Sequence, residues 1–232
     1  QRNWDKSTSL PTFKDDAVHV KVKFKFTGAV LNKSSNAGAN VSGLAAAAKS
    51  QIEKSFQGKV TKSFWGMKIT YDVSANAQIR TISTLSDLNF GKEHLIVILD
   101  SSHPKVKGVY GRGPFYGSII YLNEQYIPDM ISGANAKTIP HEAGHTAGLK
   151  HLVEKRDEAK PVGAFLKQMH HLLNKDNLMW RGGGHPSYGK TDHRSKLTEV
   201  NADQLEQVYR NIDQGKVNQF GFLNFVDLML LK

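Results

Sequence analysis

Five residues spread over eleven positions constrain this chain more than any other feature: His141, Glu142, His145, Gly148 and His151, in the run HEAGHTAGLKH. On an α-helix, residues i and i+4 lie on one face about 6 Å apart along the axis, so His141 and His145 are spaced to chelate a single zinc ion. Glu142 projects beside them and can reach a water on the metal without ligating the metal itself. Gly148 permits a sharp change of direction through positive φ, which swings His151 back as a third ligand. Three neutral imidazoles leave the fourth tetrahedral position open to water, as a catalytic zinc requires. The fold must therefore present a helix that ends at a glycine and turns its ligand face toward a cavity.

Composition excludes several alternatives. The chain has 232 residues, 39% apolar and 22% charged, with 20 glycines and 7 prolines. That is a globular balance, unlike a collagenous, coiled-coil or disordered chain. Its longest apolar stretches, such as Leu95–Leu99, have strand length and fall far short of the roughly 18 residues a membrane helix needs. With no cysteine, disulfides, thiolate zinc sites, cysteine nucleophiles and a thiol-based latency switch inside this chain are all excluded. The net charge of +10 is spread along the sequence without a block of five basic residues, so it reads as surface solubility rather than a nucleic-acid footprint. The first residues, Gln1–Asp5, include neither an initiator Met nor an apolar leader. They read as a mature or excised fragment, and a secreted or extracellular setting is expected.

Residues 1–17 are polar and are expected to form an extended arm. Val18–Phe26 alternates apolar and basic residues with period two, the pattern of a half-exposed strand, and Lys33–Asn40 is a loop. Val41–Phe56 carries an apolar stripe at helical spacing and is stopped by Gly58. Phe64–Val73 and Gln78–Ile82 read as one broken strand or as two. Leu95–Leu99 is a buried central strand, and Ser118–Leu122 is another short strand. Lys137–Leu149 reads as a helix, with Thr138 as its N-cap and Pro140 tolerable only in the first turn. Residues 150–197 are less regular, apart from a helix over Val162–Leu173. A last helix runs from Thr198 or Asn201 to Ile212, and the apolar tail Phe220–Leu231 is expected to pack back.

The complete match at His141, Glu142, His145, Gly148 and His151 resembles the long zinc motif of the metzincin clan of zinc metalloproteases. That clan carries a methionine on a tight turn beneath the metal. Met179, in Asn177-Leu178-Met179-Trp180 and followed closely by glycines, takes that place in this chain. The resemblance implies an α+β, zincin-like catalytic domain over 1–232, with a mixed twisted sheet and helices in an upper sub-domain. That part spans 1–149 and ends in the zinc helix; a smaller irregular and helical lower sub-domain, 150–232, holds the Met-turn and a C-terminal helix. It also implies that an edge strand near Gly108–Leu122 pairs with an extended peptide substrate. The chain departs from the better-known families in two ways. Pro140 directly precedes the first ligand, so the helix is expected to start late or to kink. Position 181 is Arg, so no Met-x-Tyr follows the turn.

The expected activity is that of a zinc-dependent endopeptidase using Zn2+: the zinc-bound water is activated by Glu142, which then protonates the leaving amine. A monomer is expected. Two alternatives stand beside it, a protease toxin domain released from a larger secreted polypeptide and a non-catalytic zinc-binding fold with a basic partner-binding surface. Retention of Glu142 speaks against the latter, since a structural site closes its fourth position. The remaining candidates receive plainer readings. His170 and His171 would point about 100° apart on a helix and cannot chelate as a pair. His185 and His193 flank a glycine-rich loop and read as surface or hydrogen-bonded histidines. Glu154, Asp157 and Glu158 read as a solvated charged face, and Tyr188 as a surface tyrosine.

Overall fold

The 16-residue strand β3 (Ala17–Asn32) is the spine of the molecule. In this computed structural model, residues 3–153, 172–181 and 194–219 are described, together with 165, 168, 169, 226 and 231. Before the spine come β1 (Trp4–Thr8) and β2 (Thr12–Lys14); after it come α1 (Val41–Ser55), β4 (Gly58–Phe64), β5 (Met67–Thr81) and β6 (His94–Leu99). The short β7 (Gly111–Arg112), β8 (Ile119–Asn123), α2 (Ile127–Ser132), α3 (Thr138–Thr146) and α4 (Ala202–Asp213) follow. The architecture is mixed α+β, with an eight-stranded sheet in the order β4-β5-β3-β6-β8-β7; β1 and β2 also pair with β3. The pairs β3–β5, β3–β6 and β6–β8 are parallel, while both terminal pairs, β4–β5 and β7–β8, are antiparallel.

Period-two alternation explains the two-faced core. Val22, Phe24 and Phe26 of β3 face α1, where Leu44, Ala48, Ile52 and Phe56 meet them. Ala29 and Leu31 belong to the opposite cluster, with Leu95, Val97 and Leu99 of β6. All six residues of β6 are buried, as the unbroken apolar run predicts for a central strand. Asn40 caps α1 by accepting a hydrogen bond from the Gly43 N–H (2.8 Å), and the helix ends ahead of Gly58 as expected. No helix among the described residues is long and apolar enough to cross a membrane.

Three expectations are corrected. The N-terminal arm is not merely extended: β1 and β2 pair with β3, and Trp4 is fully buried against Phe26 and Phe56. Apart from that tryptophan, β1 is polar and its burial fades toward Thr8, so no alternation marks it as a strand. The first strand continues beyond Phe26 to Asn32. The region read as a broken strand is the continuous β5, and β4 precedes it in a hairpin that the sequence reading missed. Trp65, with φ 51°, and Gly66, with φ 77°, make that turn, and tryptophan is an unusual occupant of the left-handed region. The helix expected over 162–173 and the tail 220–231 lie largely outside the described residues.

His94 makes the core sensitive to acid. Its ring stacks on Phe26 at 4.3 Å, and Nδ1–H donates to the Thr27 carbonyl (3.2 Å). Burial pushes its pKa down to about 3, against the weaker opposing effect of the Thr27 bond. A histidine with a depressed native pKa leaves the unfolded state to bind the proton first. Its contribution is therefore stability present above about pH 6.5 and lost as pH falls toward 3, with a slope approaching about 1.4 kcal/mol per pH unit. His94→Phe is expected to flatten this acid limb in urea melts run across that range; an unchanged slope would assign the acid sensitivity to other groups.

Candidate metal centre

The helix α3 is buried along all nine of its residues, and its start is set by Asn135. The Asn135 side-chain oxygen Oδ1 accepts from the Thr138 N–H (3.1 Å) and from the Thr138 hydroxyl (3.0 Å). Thr138 is thus the first helical residue rather than the cap; Lys137 holds the cap position. Pro140 falls third in the helix, where a missing N–H costs nothing, and the His141 N–H closes the regular bond to the Lys137 carbonyl (2.9 Å). The late or kinked start expected from Pro140 is therefore not observed.

At the other end Gly148 has φ 86°, and the Leu149 N–H reaches back to the Gly144 carbonyl (2.9 Å), reversing the chain. A Cβ at position 148 would lie 2.2 Å from Tyr116 Cε1 and 2.5 Å from Asn211 Nδ2. Gly148→Ala therefore combines backbone strain with a collision on two sides. A loss of roughly 3 kcal/mol or more is expected in chemical denaturation.

The reversal brings His141, His145 and His151 together, their ligand atoms all within 4.8 Å of one another. His141 Nε2 is 3.3 Å and His145 Nε2 3.1 Å from His151 Nε2. The Leu178 carbonyl accepts from His141 Nδ1–H and the Leu149 carbonyl from His145 Nδ1–H, both at 2.8 Å. A carbonyl can only accept, so in the neutral rings Nδ1 carries the hydrogen and Nε2 presents its lone pair to the cluster. Facing lone pairs repel unless a cation lies between them. Tetrahedral bonds of about 2.0–2.1 Å put ligand nitrogens about 3.3–3.4 Å apart, which matches the observed spacing. The three imidazoles can hold a metal ion.

Burial keeps the rings of His141 and His145 neutral. It drives His141 well below the ordinary histidine range, helped by the neighbouring His145, and takes His145 down to about 4, with His151 adding to the shift. The carboxyl of Glu142 moves the other way, pushed up to about 7 by burial against the opposing effects of a backbone hydrogen bond, Lys137 and Arg112. That bond comes from the Gly113 N–H to Glu142 Oε2 (2.6 Å). Gly113 makes it possible, because a Cβ there would lie 2.6 Å from the Glu142 carbonyl oxygen.

Met179 is fully buried on the turn Asn177–Trp180. A Cβ on Gly144 would come within 2.9 Å of its sulfur, so the glycine lets the methionine pack against α3 next to His145. Asn177 braces this turn: its Oδ1 accepts from the Met179 N–H (2.8 Å), and its amide exchanges two hydrogen bonds with Gln204 of α4. Met179→Leu keeps most of the volume, so a cost under about 1.5 kcal/mol is expected from thermal melts, with metal content unchanged.

His141, Glu142, His145 and His151 line a cleft of about 620 Å³ together with Gly108–Gly113 and Arg194. Within the stretch Gly108–Leu122, only β7 stands at the sheet's edge; β8 is flanked by β6 and β7. Several contributors were not anticipated from sequence: the Leu149 and Leu178 carbonyls, the Gly113 N–H, the Asn177–Gln204 pair and Arg194. Only the spacing of Asn201 and Gln204, which form a capping box on α4, left a readable signal. Glu154, Asp157, Glu158, His170, His171, His185, Tyr188 and His193 lie outside the described residues. No protein-family model matches the chain, and no curated protein matches it.

Proposed function

We propose that the chain is a zinc-dependent endopeptidase of metzincin type. The observation that carries this reading is Glu142, buried beside the three-imidazole cluster and fixed through one oxygen by the Gly113 N–H, in a cleft bounded by a sheet edge. His141, His145 and His151 would hold the zinc. When bound, the ion supplies Lewis acidity, polarising the scissile carbonyl and acidifying a water.

The chain's own residues position and move the protons. With Oε2 held by Gly113, Glu142 Oε1 takes a proton from the attacking water as its oxygen bonds to the carbonyl carbon. The same oxygen then delivers that proton to the amide nitrogen as the C–N bond breaks, which balances the hydrolysis. Burial sets the carboxyl near 7, where it can both accept a proton and return it near neutral pH. An extended peptide would add as a further strand along β7, which ends the sheet order among the described residues.

The alternative of a purely structural metal site gives no role to an oriented carboxylate or an open cleft. The test is incubation of the zinc-loaded protein with a mixed peptide library, reading new termini by mass spectrometry. Internal cleavage that stops on chelation and returns with zinc is expected. One bound zinc with no cleavage across the library would refute the peptidase reading.

A further inference from the structure

Alternation along β3 sends its apolar residues to one face of the sheet and its lysines to the other. Val22, Phe24 and Phe26 face α1, so Lys21, Lys23 and Lys25 stand in a row on the opposite face. Strand register carries that face across its neighbours. Lys23 lies between Ser7 of β1 and Ser74 of β5, and Lys25 between Asp5 and Asn76. Lys21 lies beside Asp72, with Lys59 of β4 on its far side, and Lys68 stands beside Ala17 nearer the turn. Lys21, Lys23, Lys59 and Lys68 are exposed, as are Ser7 and Ser74. The acids are few. Asp72 lies against His19 (3.3 Å) and Lys59 (3.8 Å), and Asp5 Oδ1 accepts from the Lys6 N–H (2.9 Å). Asp15, 4.0 Å from Lys14, and Asp16 sit in the turn beyond the face. Among the described residues, Lys21, Lys23, Lys25 and Lys68 form no ion pair. The sheet collects these lysines, so no run of consecutive basic residues marks them in the sequence.

We propose that this face binds a linear polyanion, a single chain of a sulfated polysaccharide. Residues two apart on a strand are about 6.8 Å apart, so β3 repeats a positive charge at that interval. From the row of Ala17 to that of Lys25 the strip runs roughly 27 Å, and three strands make it about 10 Å wide, room for one extended polymer chain. Lys23 offers an ammonium flanked by two serine hydroxyls, donors suited to sulfate oxygens. Between those rows the face carries no Phe, Tyr, Trp or Arg, so it lacks the stacking platforms that hold single-stranded nucleic acid. Its only apolar residue, Ala17, is buried, so nothing here enters a bilayer, and the twist of the sheet lets a plane touch only part of the strip. None of these residues lines the imidazole cleft, so binding here requires no peptidase activity.

The probe is a fluorescein-labelled hexasaccharide of heparin type, titrated by anisotropy into the whole chain. Its binding is expected to weaken steeply with salt, as the release of counterions from a polyanion requires. The triple variant Lys21→Gln, Lys23→Gln, Lys25→Gln should weaken it about 100-fold, near fivefold per lysine. The control Lys33→Gln, Lys54→Gln, Lys92→Gln removes as much charge from exposed sites elsewhere, and there the change should stay below about threefold. Equal losses in the two variants, no measurable binding, or binding that salt leaves unchanged would each overturn the proposal. So would a desulfated hexasaccharide that binds as tightly as the sulfated one. An oligothymidylate of equal charge, or phosphatidylserine vesicles, matching the saccharide would overturn it in favour of a nucleic-acid or a membrane contact. Acetylation of the unaltered protein needs no variant to fold. Saturating hexasaccharide should slow the labelling of Lys21, Lys23 and Lys25, read peptide by peptide by mass spectrometry, and leave Lys33, Lys54 and Lys92 unchanged. Labelling of the two sets slowed alike, or slowed in neither, would refute the site.

Discussion

Glu142→Gln is expected to retain its metal and its fold while losing hydrolysis by about 10²–10⁴-fold, the usual worth of a positioned general base. The amide keeps the shape of the side chain and an oxygen able to accept from the Gly113 N–H, so the bond at 2.6 Å can survive. What disappears is the basic oxygen that accepts and returns the proton. Removing a buried carboxylate also relieves its desolvation, so the variant should be no less stable than the parent at neutral pH. Metal content, a thermal melt and initial rates on one good peptide separate these effects. Near-normal turnover with the metal still bound would move the proton transfer to another group.

The second large effect concerns His145. His145→Ala removes one of three imidazoles whose Nε2 atoms converge, and the two that remain cannot enclose an ion. Affinity should fall by at least about 100-fold, since losing even an outer-sphere partner of a ligand costs 10–100-fold. Elemental analysis after dialysis against a weak chelator should show a nearly metal-free protein. Added zinc is expected to raise the melting temperature of the parent but not of the variant, because a ligand stabilises only the state that binds it. Full retention of zinc would refute the three-histidine centre.

The three-imidazole cluster was legible in sequence because everything that assembles it is local. The i, i+4 spacing, the glycine at φ 86° and the return of His151 all occur within eleven residues. The groups that aim the ligands were not legible. The carbonyls of Leu178 and Leu149 and the N–H of Gly113 belong to the backbone and leave no mark in residue type. Met179 was found through its neighbours, but its fit depends on the missing side chain at Gly144, which only contact reveals. The same division holds for the fold. β6 announces itself as an apolar run, whereas β1 is a polar strand anchored by one tryptophan, and its pairing with β3 is a tertiary fact. Likewise Arg194 stands beside Tyr110 only once the chain has folded across the 84 positions between them.

Trp4 gives the molecule an order of events. Its indole N–H holds the Thr146 hydroxyl (2.9 Å), 142 positions away at the end of α3. The side-chain amide of Asn218 brackets its backbone from 214 positions away, accepting from the Trp4 N–H and donating to its carbonyl. A ribosome adding about 5–20 residues per second therefore makes Asn218 roughly ten to forty seconds after Trp4. For about the first two-thirds of that interval the tryptophan has neither α3 nor its amide clasp, and for the remainder it lacks the clasp alone. The helix that bears two of the clustered imidazoles therefore reaches its final setting only after Asn218 has been made. Release of a nascent chain before Asn218 would leave the Trp4 backbone without its clasp.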